Sequence, residues 1–591
     1  MTLSKSNTLI NKKIIDFFPE KVEKILFFNP PSIPGEYYNV DLASRGRYFC
    51  YPPYGLGVLV AHLKKNGYQS EICDLNFEVL MSLQNNNHGD FNVIDFLRPI
   101  IINNIKDFQP DVIGITSMFT MSHTFILEIA KTSKEVNSSI PILAGGVHPS
   151  NAPEMVLKES DRNIDFIMTK ESELALIDLL GFVNSNKNDF SPFQISTLID
   201  DQYVCGDVSP PPSENSLNIK PDFLRLPIGQ YSSLGEVGAY FFMRGAESKA
   251  STSLSNRGCR ARCTFCSVEN FNGKGVRGRT IDSVIDEIEM QVNDYGINHI
   301  MWLDDDLFFD RERAINLFNE IVKRNLNITW DASNGVIASA ITDELIHASA
   351  DSGCIGMHVG VESGSPEILR SIRKPSGVKH YIRAGGILNK YPQIFTKGFL
   401  MVGFPSETLG QIKQTIDLAV EMDLDWYTIS NLAPLPSTDF YDEMVRDGII
   451  DDGITNTSKV NYGSSQTGKQ QDIEDSQKSV KSEFSDHFEG DLEVVPDADM
   501  LDDIWFNMDY KINYEPLMSK KMADEKLIKM KKFLLDIGNR ITRDNPTPFY
   551  FLGVVEEKLS NFDTAKDYYD RANEIKMNSE YWKSRFQVLG L

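Results

Sequence analysis

The sequence predicts an α/β protein in three parts: a doubly wound parallel sheet, a second and larger strand–helix repeat, and a small helical tail. Three observations carry this. Residues 21–185 and 246–446 each alternate short apolar runs with segments of helical periodicity, the pattern of parallel strands joined by crossover helices. From about Asp451 to Asp503 the composition turns to Ser, Gln, Asp and Glu, with too few apolar residues for a core. Beyond that, apolar residues return at helical spacing. A chain of 591 residues is too long for one core and suits about three domains.

Residues 1–20 are polar and unpatterned and read as a loose leader. Ile25-Leu26-Phe27-Phe28 is a buried strand ended by Asn29-Pro30-Pro31. Pro52-Pro53-Tyr54-Gly55-Leu56-Gly57 opens a helix to about Lys65, and Gly67 stops it. Gln69 to Asp74, Asp111 to Ser117 and Ile140 to Ala144 are further strands. In such sheets ligands bind beyond the carboxyl ends of the strands, where Ser117, Gly145, Gly146, His148 and Glu171 fall. Glycine there lets a large cofactor approach the backbone. The plain alternative for His148 is a histidine capping a turn. Residues 186–245, with Pro210-Pro211-Pro212, read as a linker.

In 246–446, Ile281, Val284, Ile285 and Ile288 share a helix face, and Asn298 to Leu303 is a strand. Ala314 to Ile321 is a helix, Ile355 to Val361 and Phe399 to Gly403 are strands, and Thr408 to Glu421 is an amphipathic helix. Barrel enzymes place their chemistry at the carboxyl ends of strands. Three ends stand out: Asp304-Asp305-Asp306, Glu362-Ser363-Gly364 and Gly403-Phe404-Pro405-Ser406-Glu407. The plain alternatives are a solvated acidic loop, a helix cap at Ser365 before Pro366, and a simple strand–turn–helix start.

The most specific stretch is Cys259-Arg260-Ala261-Arg262-Cys263-Thr264-Phe265-Cys266, three cysteines at C-x3-C-x2-C. Three thiolates on a short loop can reach one soft metal centre. Structural zinc would want a fourth ligand, and Cys50, Cys73, Cys205 and Cys354 are scattered singly. An iron–sulfur cubane held by three thiolates would keep one iron open, which is a catalytic layout. A disulfide would need an oxidising compartment, and no signal peptide is visible.

With Phe265 in its aromatic place, the segment from Asn256 to Ser267 resembles the signature of the radical S-adenosylmethionine (SAM) superfamily, and the wider context resembles its subgroup with an N-terminal cobalamin-binding (Rossmann-like) domain. The resemblance covers about residues 21–445. It implies a partial TIM-type barrel of six strand–helix units, because the core of about 200 residues falls short of the roughly 250 of a full barrel. It implies a [4Fe–4S] cluster on Cys259, Cys263 and Cys266, with SAM on the open iron. It also implies Asp305 at the SAM amino group, Glu362 at the ribose hydroxyls or methionine end, and Gly403 to Pro405 on the adenine side. Cobalamin would sit against Ser117, Gly145, Gly146 and His148. The D-x-H-x-x-G motif that ligates cobalt by histidine is missing, so the implied states are histidine-off cobalamin or a domain that has lost the cofactor.

Arg257, Arg260, Arg262, Lys274, Arg277 and Arg279 form a basic island around the cysteines, suited to a reduced cluster, the SAM carboxylate, or docking of an acidic electron donor such as a flavodoxin or ferredoxin. Overall the chain carries a net charge of −24, which argues against nucleic acid as a partner. No apolar run is long enough for a membrane span, and seven cysteines without a leader fit a reducing cytoplasm. Residues 447–503 read as an acidic flexible linker and 504–591 as a helical tail. In that tail Phe549, Leu552, Gly553, Ala565, Tyr569 and Ala572 fall at the spacing of one tetratricopeptide-like repeat, which must lean on the core or on a protein partner. The functional expectation is cobalamin-dependent C-methylation of an unactivated carbon in a small-molecule substrate. The alternatives are an oxidative cyclisation, rearrangement or coupling on the same architecture, or a non-catalytic scaffold.

Overall fold

The computed structural model describes residues 4–591 except 20, 33–37, 86–90, 186–192, 210, 246 and 451–486. Much of the predicted acidic linker therefore lies outside the described residues. The first sheet contains β1 (Lys24–Asn29), β2 (Gln69–Asp74), β3 (Val112–Thr116), β4 (Ile142–Gly145), β5 (Phe166–Met168), β6 (Ile195–Ile199) and β7 (Gln202–Cys205). Their order is β2-β1-β3-β4-β5-β6-β7, parallel through β5 and antiparallel for the last two. The chain runs from β1 to one neighbour and returns to the other, so the strand order reverses between β1 and β3. A crevice opens at such a reversal.

Two expectations change here. The leader is a helix, Lys5–Phe17, capped by Ser4. Ile10 and Ile14 are fully buried, and Asn7 Nδ2 donates to Asp207 at 2.7 Å. Three polar residues, Asn11, Lys12 and Lys13, separate Ile10 from Ile14, which hid a one-sided apolar face. The presumed linker from 186 also begins inside the domain, because β6 and β7 complete its sheet.

The second sheet contains β8 (Ala250–Ser253), β11 (His299–Trp302), β12 (Thr329–Val336), β13 (Cys354–Glu362), β14 (Phe395–Val402) and β15 (Trp426–Asn431); β9 (Asn256–Arg257) and β10 (Arg277–Gly278) form a separate two-stranded ladder. All six pair in parallel in the order β15-β14-β13-β12-β11-β8, and the end strands do not meet. This is an open six-stranded barrel. The crossover helices start on side-chain caps, as at Thr280, Asp310 and Thr408, whose oxygens accept otherwise unpaired amides.

The tail closes the open side. Asn513 pairs through its side-chain amide with both the N–H (2.7 Å) and the C=O (2.9 Å) of Tyr427 on the edge strand β15. This satisfies backbone groups that an uncovered edge would leave exposed. Lys529 donates to Asp425 at 2.7 Å, and Phe533, Phe551 and Leu552 pack on Phe395 and Trp426. Among the described residues the tail begins at His487 rather than 504: Leu409 and Gly410 donate to the carbonyls of Val494 and Leu492, and Asp497 caps the helix Ala498–Asp509. The helices Thr547–Lys558 and Phe562–Met577 lie closely together, with the ring of Tyr569 over Gly553. They form one pair leaning on the barrel.

Candidate active site

The three cysteines lie on an excursion between β9 and β10, whose ladder pins the base of the loop. Gly258 enters it at φ +86, where a Cβ would sit 2.3 Å from the carbonyl oxygen of Gly275, so only glycine fits. Thr264 donates to Ile372 O at 3.2 Å and accepts from Phe440 N at 3.0 Å. Phe265 packs with Ile368, Ile372, Phe404 and Phe440, so the aromatic place is an anchor for the loop. All three thiols are free; Cys259 and Cys263 are half-buried and Cys266 is exposed. Desolvation pushes the Cys259 thiol up to about 12 and Cys266 to about 11. Among the described residues no three His, Cys, Asp or Glu side chains converge as a ready metal site. The donor set nevertheless fits a cluster in kind: three soft thiols on one braced loop, with no fourth cysteine beside them.

The three consecutive aspartates do three different jobs. Asp304 is buried and accepts from Ser255 N (2.9 Å), Ser255 Oγ (2.5 Å) and Asn256 N (2.9 Å), holding the approach to the cysteine loop. Asp306 takes Arg260 in a two-pronged pair at 2.7 and 2.8 Å. Asp305 lines the main cavity, with Asn272 Nδ2 donating to it at 2.9 Å. Desolvation, followed by the repulsion of Asp304, raises the carboxyl of Asp305 to about 7. A carboxylate in that setting is relieved by a cation, so the site fits an ammonium group.

At the end of β13 a bulge turns Glu362 into a left-handed conformation, φ +66. Lys374 donates to it at 2.8 Å and lies 5.8 Å from the centroid of the Phe265 ring. Burial opposes charge on Lys374, but Glu362 outweighs it and raises the lysine. Gly403, at φ +84, and Phe404 both donate their amides to Glu407, at 2.8 and 3.2 Å; burial lifts Glu407 to about 7. Pro405 is exposed on this turn. Asp305, Glu362 and Gly403 thus stand at the carboxyl ends of three barrel strands, as expected.

On the other domain, Ser117 and Gly146 line the cavity and Gly145 lies just behind, its carbonyl accepting from Ser117 N at 2.9 Å. A Cβ on Gly146, at φ +98, would meet Ser117 O at 2.4 Å, which leaves a flat backbone cradle. His148 does not line the cavity. It is buried behind the loop, its Nε2 3.0 Å from His123 Nδ1, while His123 Nε2 meets Glu159 at 2.9 Å. Desolvation pushes His148 down to about 3, so it stays neutral. Among the described residues of this domain no histidine lines the cavity, so the cradle fits a corrinoid without a histidine on cobalt.

Most of the basic island faces inward. Arg257 binds Glu171 (2.6 Å) and Glu173 (2.5 Å), Arg277 also binds Glu171, and Arg279 binds buried Glu287 (2.5 Å). Arg262 and Lys274 are exposed. Glu171 is therefore a strut between the domains, holding Arg257 two residues before Cys259. Glu173, which shares Arg257 with Glu171, and Lys374, which reaches back twelve residues to Glu362, were missed from sequence because no local motif marks either.

Both halves open onto one cavity of about 1770 Å³. That exceeds the roughly 300–1,000 Å³ of an ordinary small-molecule site. Asn29 and Met118 from the first sheet, Asp305 and Phe399 from the barrel, and Tyr510 and Phe533 from the tail all line it.

Residues 254–419 match the radical SAM superfamily and residues 43–180 match the B12 binding domain. An uncharacterized methyltransferase of Pyrococcus horikoshii is 27% identical over 347 residues, 58% of this chain and 72% of its own. Cytidylyl-2-hydroxyethylphosphonate methyltransferase of Streptomyces wedmorensis is 25% identical over 464 residues, 73% of this chain and 83% of its own. The solved structure of the radical SAM methyltransferase TsrM from Kitasatospora setae, with cobalamin and a [4Fe–4S] cluster bound, has a TM-score of 0.60 at 16% identity and covers 92% of this chain and 99% of its own. The likeness extends over the tail as well as the two matched domains.

Proposed function

We propose that this radical SAM enzyme with a B12-binding domain transfers a methyl group to an unactivated carbon of a small molecule. The observation that carries the reading is the single cavity shared by the cysteine-loop side of the barrel and the glycine cradle of the first domain. When bound, the cluster with SAM supplies radical chemistry and cobalamin supplies a transferable methyl group. The chain's own residues position and insulate. Asp305 accepts from the SAM ammonium, and Glu362, fixed by Lys374, accepts from its hydroxyls. Phe265 and Phe404 hold the cysteine loop against the barrel. Ser117 and Gly146 would hold the corrinoid, and the tail keeps water from the barrel's open side. Two methyltransferase relatives are covered over 72% and 83% of their own length, against 66% and 60% for two anaerobic magnesium-protoporphyrin IX monomethyl ester cyclases, which supports this choice over cyclisation.

An external electron donor of the flavodoxin or ferredoxin kind docks beside exposed Arg262 and Lys274, and free thiols throughout suit a reducing cytoplasm. Reversing both charges slows cluster reduction by such a donor but not by dithionite; equal slowing with both would count against docking there.

The test of the main reading is anaerobic reconstitution with iron, sulfide and hydroxocobalamin. About four irons and roughly one cobalt per chain are expected, and Cys263→Ala loses SAM cleavage while keeping cobalt. Substrates are then scanned with SAM carrying a deuterated methyl group. A product without label, or a chain that binds no cobalt, overturns methyl transfer.

A further inference from the structure

Lys397 is a lysine inside the barrel with no counter-charge of its own. It occupies the middle of β14, is 5% exposed and lines the cavity. Its ammonium lies 4.2 Å from the centroid of Phe533, 5.1 Å from those of Tyr240 and Phe242, and 5.7 Å from that of Phe395. Aromatic faces attract a cation but do not neutralise it. Among the described residues its one hydrogen bond is a 3.3 Å contact to Ala239 O. Among the described residues no carboxylate lies within ion-pairing reach of Nζ. Each nearby acid is already engaged: Asp331 by His299 and Ser333, Glu236 by Arg47 and Arg540, and Asp536 by Arg540. A buried ammonium left this way is costly unless something completes it.

His358 stands directly opposite on β13, in register with Lys397. Tyr240 OH holds its Nδ1 at 3.1 Å, and Phe399 stacks on its ring at 4.2 Å. His358 lines the same cavity, and its Nε2 has no partner among the described residues. Burial, with Lys397 beside it, keeps the imidazole neutral. An ammonium and a neutral imidazole with one nitrogen available together make a recess for an oxyanion. The recess lies below the chemistry: Glu362 is four residues further along the strand, about 13 Å at roughly 3.3 Å per residue. The tail supplies its floor through Phe533.

We propose that the barrel floor is a substrate subsite, in which Lys397 and His358 bind a carboxylate or phosphoryl oxyanion at the far end of an elongated substrate, about 13 Å of strand from the reacting end. This rests on the cavity being the substrate site. It assigns the tail a role in substrate recognition and restricts substrates to extended anions.

The test is calorimetric titration of the cofactor-loaded chain with acetate, inorganic phosphate or methylphosphonate, at ionic strength matched with sodium chloride. Saturable binding of at least one anion is expected. Preference for acetate identifies a carboxylate, and preference for the other two a phosphoryl group. Lys397→Met weakens binding at least about tenfold, the loss of a charge-assisted hydrogen bond. Lys397→Arg retains part of it, and His358→Gln weakens it more modestly. Iron and cobalt contents report whether each variant is folded; if Lys397→Met is not, His358→Gln and Lys397→Arg decide. No saturable anion binding by the wild type, or equal binding by the folded variants, overturns the proposal. Because no turnover is measured, this result is independent of whether methyl transfer is the reaction.

Discussion

Glu287→Gln removes one charge from a buried cluster that ties the cobalamin-binding domain to the barrel. Glu287 is fully buried and Arg279 is 5% exposed. The carboxylate accepts from Arg279 Nη1 at 2.5 Å, from Ser253 Oγ at 2.8 Å and from Tyr54 OH, at the start of the first domain's helix, at 3.0 Å. Arg279 also donates to Tyr54 OH, Leu254 O, Ser283 O and Ser283 Oγ, so it cannot swing out to water. Breaking such a pair from one side leaves a buried, uncompensated guanidinium and costs about 3–5 kcal/mol. With a urea m-value of about 3 kcal/mol/M, the unfolding midpoint of the cofactor-loaded chain falls by about 1–1.7 M, and cobalamin is released at lower urea. Replacing the whole cluster by apolar groups, as Glu287→Leu with Arg279→Met and Tyr54→Phe, returns stability to within about 1 kcal/mol of wild type. The reasoning fails if Glu287→Gln leaves the midpoint unchanged, or if the triple variant costs as much as its single substitutions summed.

Asp305→Asn keeps the shape but loses the charge offered to a bound ammonium, so SAM affinity by equilibrium dialysis falls by about 10- to 100-fold; unchanged affinity would remove Asp305 from the site. Gly146→Ala must shift the Ser117 backbone, since its Cβ would lie 2.4 Å from Ser117 O at φ +98; cobalt content drops while iron content holds, and retention of both would contradict the cradle. Burial lowers Lys397 from 10.5 to about 8 against the pull of Asp536, Glu236 and Asp331, with Arg47 opposing and neutral His358 alongside. Between those values the unfolded chain holds more protons than the folded one, so stability rises with pH across that window and is lowest below it. Relative to Lys397→Met, the wild type therefore gains up to about 3 kcal/mol between about pH 7 and pH 10; a difference that does not vary with pH would show Lys397 to be unperturbed.

The cysteine loop was legible because its pattern is local: three cysteines within eight residues need no tertiary partner to be recognised. The strands were legible for a related reason. A parallel strand covered on both faces is a continuous apolar run, and the helices between them carry their own periodicity. Asp305, Glu362 and Gly403 could be found because they follow such runs directly. Lys397 was overlooked although it left a trace, a charged residue in the middle of the buried strand Phe395–Val402. The leader helix and the β6–β7 hairpin were misjudged because short amphipathic elements take their stability from the sheet they pack on.

The sequence by itself determined the order of the α/β units, the three-cysteine loop and the carboxylates at the strand ends, since each follows from near neighbours in the chain. Tertiary structure alone decided how those parts face one another. It turned His148 inward against His123, although Gly146, two residues earlier, faces the cavity. It spent Arg257 and Arg277 on interdomain pairs with Glu171 and Glu173, and Arg279 on buried Glu287 of the barrel. It also carried the tail beneath the barrel, where Phe533 meets Lys397 across 136 positions of chain. The physical reason is that burial and charge compensation are properties of surroundings assembled from distant segments, and no periodicity within a segment records them.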